Sequence, residues 1–173
     1  MKKINIRQEF NASLETLLRA REDRYKHLDK FPELKNIHIL SEEKEGGMLR
    51  QEREIVLTDS LPAVITPFLK SGGITLIEKS DFNENENIHT FTVIPGAGLD
   101  QFFKIKGKSR YYSLDENRSE RAYEIEIESS AFLVGGVIET AIGEVYNHSL
   151  DKDKKSIIEF IQFLNADGDK NHV

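Results

Sequence analysis

The sequence predicts an α+β domain in which a curved antiparallel sheet of six to seven strands wraps a long C-terminal helix. Three observations predict it. Seven short segments alternate apolar and polar residues or are rich in β-branched and aromatic side chains, most of them separated by turn-type stretches, which is the signature of consecutive hairpins. A single helical pattern follows the first of these segments, so the strands do not alternate with helices as in a parallel βαβ fold. The chain then closes on more than thirty residues with apolar side chains at helical spacing.

Taken in order, residues 3–10, "KINIRQEF", set Ile4, Ile6, Gln8 and Phe10 against Lys3, Asn5, Arg7 and Glu9, the period of a strand with one wet face. Asn11 and Ser13 offer capping oxygens to "LETLLRAREDRYKHL" (14–28), where Leu14, Leu17, Leu18, Tyr25 and Leu28 fall near one helical face ahead of Pro32. "NIHIL" (36–40) and "MLRQEREIVLT" (48–58) form a hairpin around the charged turn "SEEKEGG", with Gly46 and Gly47 available for positive φ. On the second of these strands, Leu49, Gln51, Arg53, Ile55 and Leu57 are the inward set. Residues 59–73, with Pro62 and Pro67, read as a broken helical connection.

Strands follow at 74–82, 87–95, 101–112 and 121–129, joined by "NENEN", "GAGLD" and "SLDENRSE". On the last two, Lys104, Lys106, Lys108 and Arg110 share one parity and Glu124, Glu126 and Glu128 another. Placing Lys106 opposite Glu126 matches opposite charges down an antiparallel ladder, and this solvated ladder is favoured over an anion-binding patch. Phe103, Ile105, Tyr111, Tyr123, Ile125 and Ile127 then face the core.

From Val134 onward, Val137, Ile138, Ala141, Ile142 and Val145 form one helical stripe, with Glu139, Thr140, Gly143 and Glu144 off it. Ile157, Phe160, Ile161 and Leu164 form a second, about a third of a turn round at ~100° per residue. A straight helix from 132 to 164 would be about 50 Å long, more than a domain of this size spans, so a bend, break or overhang is expected near "HSLDKD" (148–153).

Composition bounds the function. The chain has 173 residues, 38% of them apolar, enough for one domain over residues 1–165 with a polar tail at 166–173. It has no cysteine, which removes disulfides, thiolate nucleophiles and cysteine-bound metal. A net charge of −6 argues against a nucleic-acid partner. No apolar segment follows the lysines of the N-terminus as in a signal peptide, so a cytoplasmic location is expected. The apolar run 131–138 is too short to span a bilayer at about 20 residues, so stable membrane insertion is not expected. "PGAGLD" (95–100) lacks the spacing of a phosphate loop, and the five histidines lack metal-ligand spacing; no cofactor and no metal are expected.

This order of elements, with Gly135-Gly136-Val137-Ile138-Glu139 as a "GG-x-x-E" helix start, resembles the START-like (SRPBCC) superfamily of polyketide cyclases, birch-pollen-allergen-like proteins and steroidogenic lipid carriers. The resemblance is greatest to a bacterial branch in which a strand runs into that motif. It covers nearly the whole chain and implies the helix-grip fold, with a ligand pocket between sheet and C-terminal helix. On that basis the candidate ligand-binding residues are Arg53, Glu78, His89, Phe91, Tyr111, Tyr123, Gly135, Val137, Ile138, Ala141 and Ile142. Gly135 and Gly136 would let the first helical turn pass close to the sheet and leave room at a pocket mouth. Arg53 and Glu78, if both buried, must pair with each other or with a polar ligand group.

Three functions follow. The leading one is a binding protein for a small hydrophobic molecule, such as a lipid, a sterol-like compound or an aromatic polyketide. The second is a cyclase or dehydratase in which His89 or Glu78 acts as general base and Arg53 as its electrostatic partner. The third is an interaction module with a filled core and a protein partner. The inward faces are mostly apolar and no conventional catalytic constellation is present, which favours binding over catalysis.

Overall fold

The computed structural model describes residues 1–57, Ala63, 74–96 and 102–170. The broken connection expected at 59–73, most of the "GAGLD" turn and the last three residues of the tail lie outside the described residues.

Strand β1 (Lys2–Phe10) leads into helix α1 (Leu14–Asp23), where Ser13 Oγ accepts from Thr16 N at 3.1 Å as the N-cap. Two 3₁₀ turns follow, Arg24–Lys26 in place of the last turn of the expected helix and Pro32–Asn36 beyond it. Then come β2 (Ile37–Glu45), β3 (Met48–Leu57), β4 (Ile74–Asn83), β5 (Ile88–Pro95), β6 (Lys104–Asp115), β7 (Arg118–Glu128) and helix α2 (Gly135–Lys170).

The seven strands form one antiparallel sheet in the order β1-β7-β6-β5-β4-β3-β2. Every neighbour except the β1–β7 pair is a consecutive hairpin. The passage from β1 to β2 must therefore cross from one edge of the sheet to the other, and α1 with its two turns makes that crossing over the face that α2 also covers. This is the helix-grip fold.

Two differences from the expected strands share a cause. The stretch "SEEKE" continues β2, leaving only Gly46 (φ 58°) and Gly47 (φ 80°) as the turn, the left-handed pair of a tight two-residue hairpin. Likewise β6 and β7 extend to a turn of only Glu116 and Asn117. The extended segments are solvated, β2 as an edge strand and β6–β7 at their tips, so charged residues there satisfy a strand as readily as a loop, and edge charges discourage pairing with other chains. The predicted ladder is in register, Lys106 opposite Glu126 and Lys108 opposite Glu124, while Glu126 also comes within 3.7 Å of Lys3 on β1.

Helix α2 removes one of the three alternatives expected near 148–153, the break. It is 36 residues of unbroken helix, about 54 Å long at 1.5 Å per residue, with no break at 148–153, and it continues past residue 165 into the expected tail. Of the stretch that suggested a break, His148, Ser149, Asp151 and Lys152 are exposed, while Leu150 and Asp153 hold the helix to the rest of the fold. Leu150 is buried, Asp153 accepts from two arginines and Ser156 accepts from one of them. The two offset stripes pack on different clusters. Ile138, Ala141, Ile142 and Leu150 join Ile74, Leu76, Val93, Phe103, Ile105 and Ile125, whereas Ile157, Phe160 and Ile161 join Leu17, Phe31, Leu34, Phe82 and Tyr111.

Candidate functional site

Two hollows stand out. The larger, about 810 Å³, lies on the solvated side of the sheet among charged residues that already neutralise one another, such as Arg50 with Asp81 at 3.4 Å and Lys79 with Glu52 at 4.0 Å. The second, about 540 Å³, lies between α2, β3 to β6 and the Pro32–Asn36 turn. Its sheet-side wall is Ile55, Leu57, Ile74, Leu76, Val93, Phe103 and Ile105; α2 contributes Ile142, Val145, Tyr146 and Leu150. Polar groups also line it, Glu78 on the sheet wall, Glu33 and Asn36 on the turn, and Glu144, His148 and Lys152 along α2. A concave cavity of this size that joins apolar walls to polar groups is the usual form of a small-molecule site.

The polar end is built by three elements. Strand parity turns Gln8 and Arg121 inward beside Ile6 and Tyr123. The Arg24–Lys26 turn brings Arg24 and Tyr25 over the sheet, and α2 supplies Asp153 and Ser156. Arg121 donates from Nε and Nη2 to Gln8 Oε1 at 3.0 and 2.6 Å and from Nη1 to Asp153 Oδ2 at 2.9 Å. Arg24 donates from Nη2 to Asp153 Oδ1 and from Nη1 to Ser156 Oγ, both at 2.9 Å. Gln8 in turn donates to the Leu150 carbonyl at 3.1 Å. Burial alone would raise the Asp153 pKa, but the two guanidinium groups hold it down at about 2. Arg24, Asp153 and Ser156 all line the cavity.

Of the residues singled out from the sequence, Glu78 and Ile142 line this cavity. Glu78 is half-buried and stands opposite Arg53 in the β3–β4 register, and its carboxylate has no hydrogen-bond or ion-pair partner among the described residues. Burial raises its pKa against the opposing influence of Arg53 and Arg21. Arg53 does not spend its donors on Glu78. They go to Gln51 Oε1 at 3.1 and 2.6 Å and to the Tyr25 hydroxyl at 3.2 Å.

His89, Phe91, Tyr111 and Tyr123 are all buried in an aromatic layer on the inner face. His89 stacks on Phe91 with centroids 5.2 Å apart, and Phe82 meets Tyr111 edge-on at 6.1 Å. Burial, followed by Arg21, Arg53 and Arg121, pushes the His89 pKa well below its ordinary value, and its Nε2 has no partner among the described residues. The Phe91 ring covers Gly107 so closely that a Cβ there would collide with it. Tyr111 accepts from Arg21 Nε at 3.1 Å, and the Arg21 guanidinium lies 4.4 Å over Phe82.

On α2, Ile138 and Ala141 are buried against the sheet, but Val137 is 57% exposed and points away from it. The two helix-start glycines differ. A Cβ at Gly135 would come within 3.1 Å of the Ser129 carbonyl, whereas Gly136 faces open space, so only Gly135 has the proposed close approach. Gly143 and Glu139, placed off the stripe by sequence, are both buried: Gly143 sits against Ile4, and Glu139 Oε1 accepts from Ser129 N at 3.1 Å. The turn before α2 leaves Phe132 and Leu133 87% and 88% exposed, Leu133 with a φ of 66°.

Sequence reasoning missed Arg24, Arg121 and Asp153. Arg121 shares the parity of Tyr123, Ile125 and Ile127, and Arg21 and Arg24 follow Leu17 at helical spacing, so the pattern held a signal. Asp153 carried none, since it lies in the polar stretch where a bend, break or overhang was expected. Among the described residues, no helix is long and apolar enough to cross a membrane, and no three His, Cys, Asp or Glu side chains gather as a metal site.

A family model described as "Protein of unknown function (DUF2505)" matches residues 5–161. A search of curated proteins finds no match. Among solved structures, the chain is similar to the Zhui aromatase/cyclase from Streptomyces sp. R1128, with 12% identity, 93% of each chain covered and a TM-score of 0.64. It is also similar to a START superfamily protein from Mycobacterium smegmatis, with 18% identity over 94% of this chain and 98% of that one, TM-score 0.58. Norcoclaurine synthase from Thalictrum flavum shows 16% identity over 93% and 86%, TM-score 0.60. At these identities the shared property is the fold.

Proposed function

The chain belongs to the DUF2505 family and carries the START-like fold, and from that premise we propose that it is a cytoplasmic binding protein for a small hydrophobic molecule. The observation that carries this reading is the cavity of about 540 Å³, apolar along the sheet and along Ile142 and Val145 of α2. Each methylene transferred from water to such a wall contributes about 0.8 kcal/mol, so a ligand of modest size binds without covalent chemistry. The alternative, a cyclase or dehydratase, needs His89, Glu78 and Arg53 to converge on one substrate. Here Glu78 lines the cavity, His89 lies in the aromatic layer, and Arg53 is engaged by Gln51 and Tyr25. A protein-partner reading draws on the exposed Phe132 and Leu133, which are independent of the cavity.

The test is to fill the cavity. Ile142→Trp is expected to weaken binding of a neutral apolar fluorophore by about tenfold or more while leaving the circular dichroism spectrum unchanged. Mass spectrometry of organic extracts of the native protein should then find a hydrophobic compound that the variant lacks. Undiminished fluorophore binding by a folded Ile142→Trp protein would rule the cavity out.

A further inference from the structure

The cavity's polar end carries an imbalance of charge that bears on the ligand. Arg24 is only 2% exposed yet forms part of the wall. Its Nη atoms are occupied by Asp153 and Ser156, but its buried Nε has no partner among the described residues. Asp153 is also shared, since Arg121 donates to its other oxygen at 2.9 Å. Two buried guanidinium groups thus rest on one carboxylate, and Gln8 offers Arg121 a neutral acceptor only.

The surroundings do not restore the balance. Arg21 and Arg53 also turn inward, their donors directed to the Tyr111 hydroxyl and to Gln51 and Tyr25. Glu22, more than half exposed, approaches Arg21 only to 3.9 Å. Among the described residues buried or half-buried at this end of the fold, Arg21, Arg24, Arg53 and Arg121 face Glu78 and Asp153. Glu33, Glu144 and Lys152 also line the cavity but are exposed to solvent, and Arg24 is the one of the four arginines that reaches the cavity wall. Excess buried charge is costly unless something of opposite sign meets it. A planar carboxylate suits a guanidinium in both charge and shape.

The geometry points to an amphipathic carboxylic acid as the ligand class, with its apolar body against Leu76, Val93, Ile105 and Ile142 and its carboxylate at Arg24. This rests on the cavity reading above and adds the head group to it. Glu78, on the same wall, works against such a head group, so removing its charge favours the acid.

Decanoic acid, decan-1-ol and decylamine share one tail and differ in head group. Each is titrated at pH 7 against the full-chain protein preloaded with a neutral apolar fluorophore. The acid is expected to displace the probe at about tenfold lower concentration than the alcohol, with the amine weakest. Glu78→Gln should widen the gap between acid and alcohol. Arg24→Gln should shrink it to about threefold or less while the alcohol still binds. Should Arg24→Gln fail to fold, the wild-type ranking and Glu78→Gln decide. Equal displacement by acid and alcohol would overturn the head-group inference and leave the cavity standing; a fluorophore that never binds would remove both.

Discussion

Asp153 is the residue on which most of the interior polar structure depends. It accepts from Arg24 and Arg121 and links α2 to both the sheet and the turn after α1. Its carboxyl titrates at about 2 in the fold against an ordinary 3.8. The folded state therefore binds fewer protons than the unfolded state between those values, so stability is fully present above about pH 5 and falls as pH drops through 4 towards 2. The shift corresponds to about 2 kcal/mol. Asp153→Asn, which cannot titrate, is expected to lose about 3 kcal/mol at pH 7, because two buried guanidinium groups lose their anion. Urea denaturation at pH 7, 5, 3 and 2 should show the wild type converging on the variant in the acid range. A constant gap would mean that the carboxylate is not held in its charged form. Nothing in the neighbouring sequence marks Asp153 as special, because its partners come from elements 129 and 32 residues earlier in the chain.

At the scale of elements, the sheet was legible because period-2 alternation reports which face meets the core, and the inward sets of β3 to β7 follow it. Strand ends were less legible, since Ser41 to Glu45 satisfy an exposed edge as well as a turn. In α2 the apolar period located the helix, but its glycines did not reveal their roles, because a missing side chain does not say what stands opposite. Gly136 faces open space, whereas a Cβ added at Gly143 would come within 3.1 Å of Ile4 Cδ1 and 3.3 Å of Lys2 Cε. Gly136→Ala should therefore raise stability by about 0.5 kcal/mol through helix propensity alone. At Gly143, alanine should be nearly neutral, since the helical gain is offset by a contact that a side-chain tip can relieve. Valine there should cost about 2 kcal/mol by pushing α2 off β1. Thermal melts of the three variants check the order, and equal effects at both glycines would contradict it.

For the whole molecule, α2 passes from one hydrophobic cluster to the other through a polar belt. Leu150 belongs to the cluster around the cavity and Ile157 to the cluster beneath α1, while Asp153 and Ser156 between them bind the arginines. The sequence showed two stripes with a polar interval and suggested a bend, a break or an overhang there; in the fold the helix is unbroken and that interval is the fastening. A continuous helix fastened at its middle should make the two clusters unfold together. Phe160 tests this from the end remote from the cavity. It is fully buried, with Phe31 edge-on at 5.5 Å and His27 at 5.6 Å. Phe160→Ala should cost about 3 to 5 kcal/mol. If the clusters are one cooperative unit, amide exchange should quicken by the same free energy at Ile125, Ile138 and Ile142 as at Leu17 and Ile157. Protection that survives around Ile138 and Ile142 while it is lost around Leu17 would show that the belt joins the clusters without coupling them. Ligand in the cavity would then stabilise only its own half of the fold.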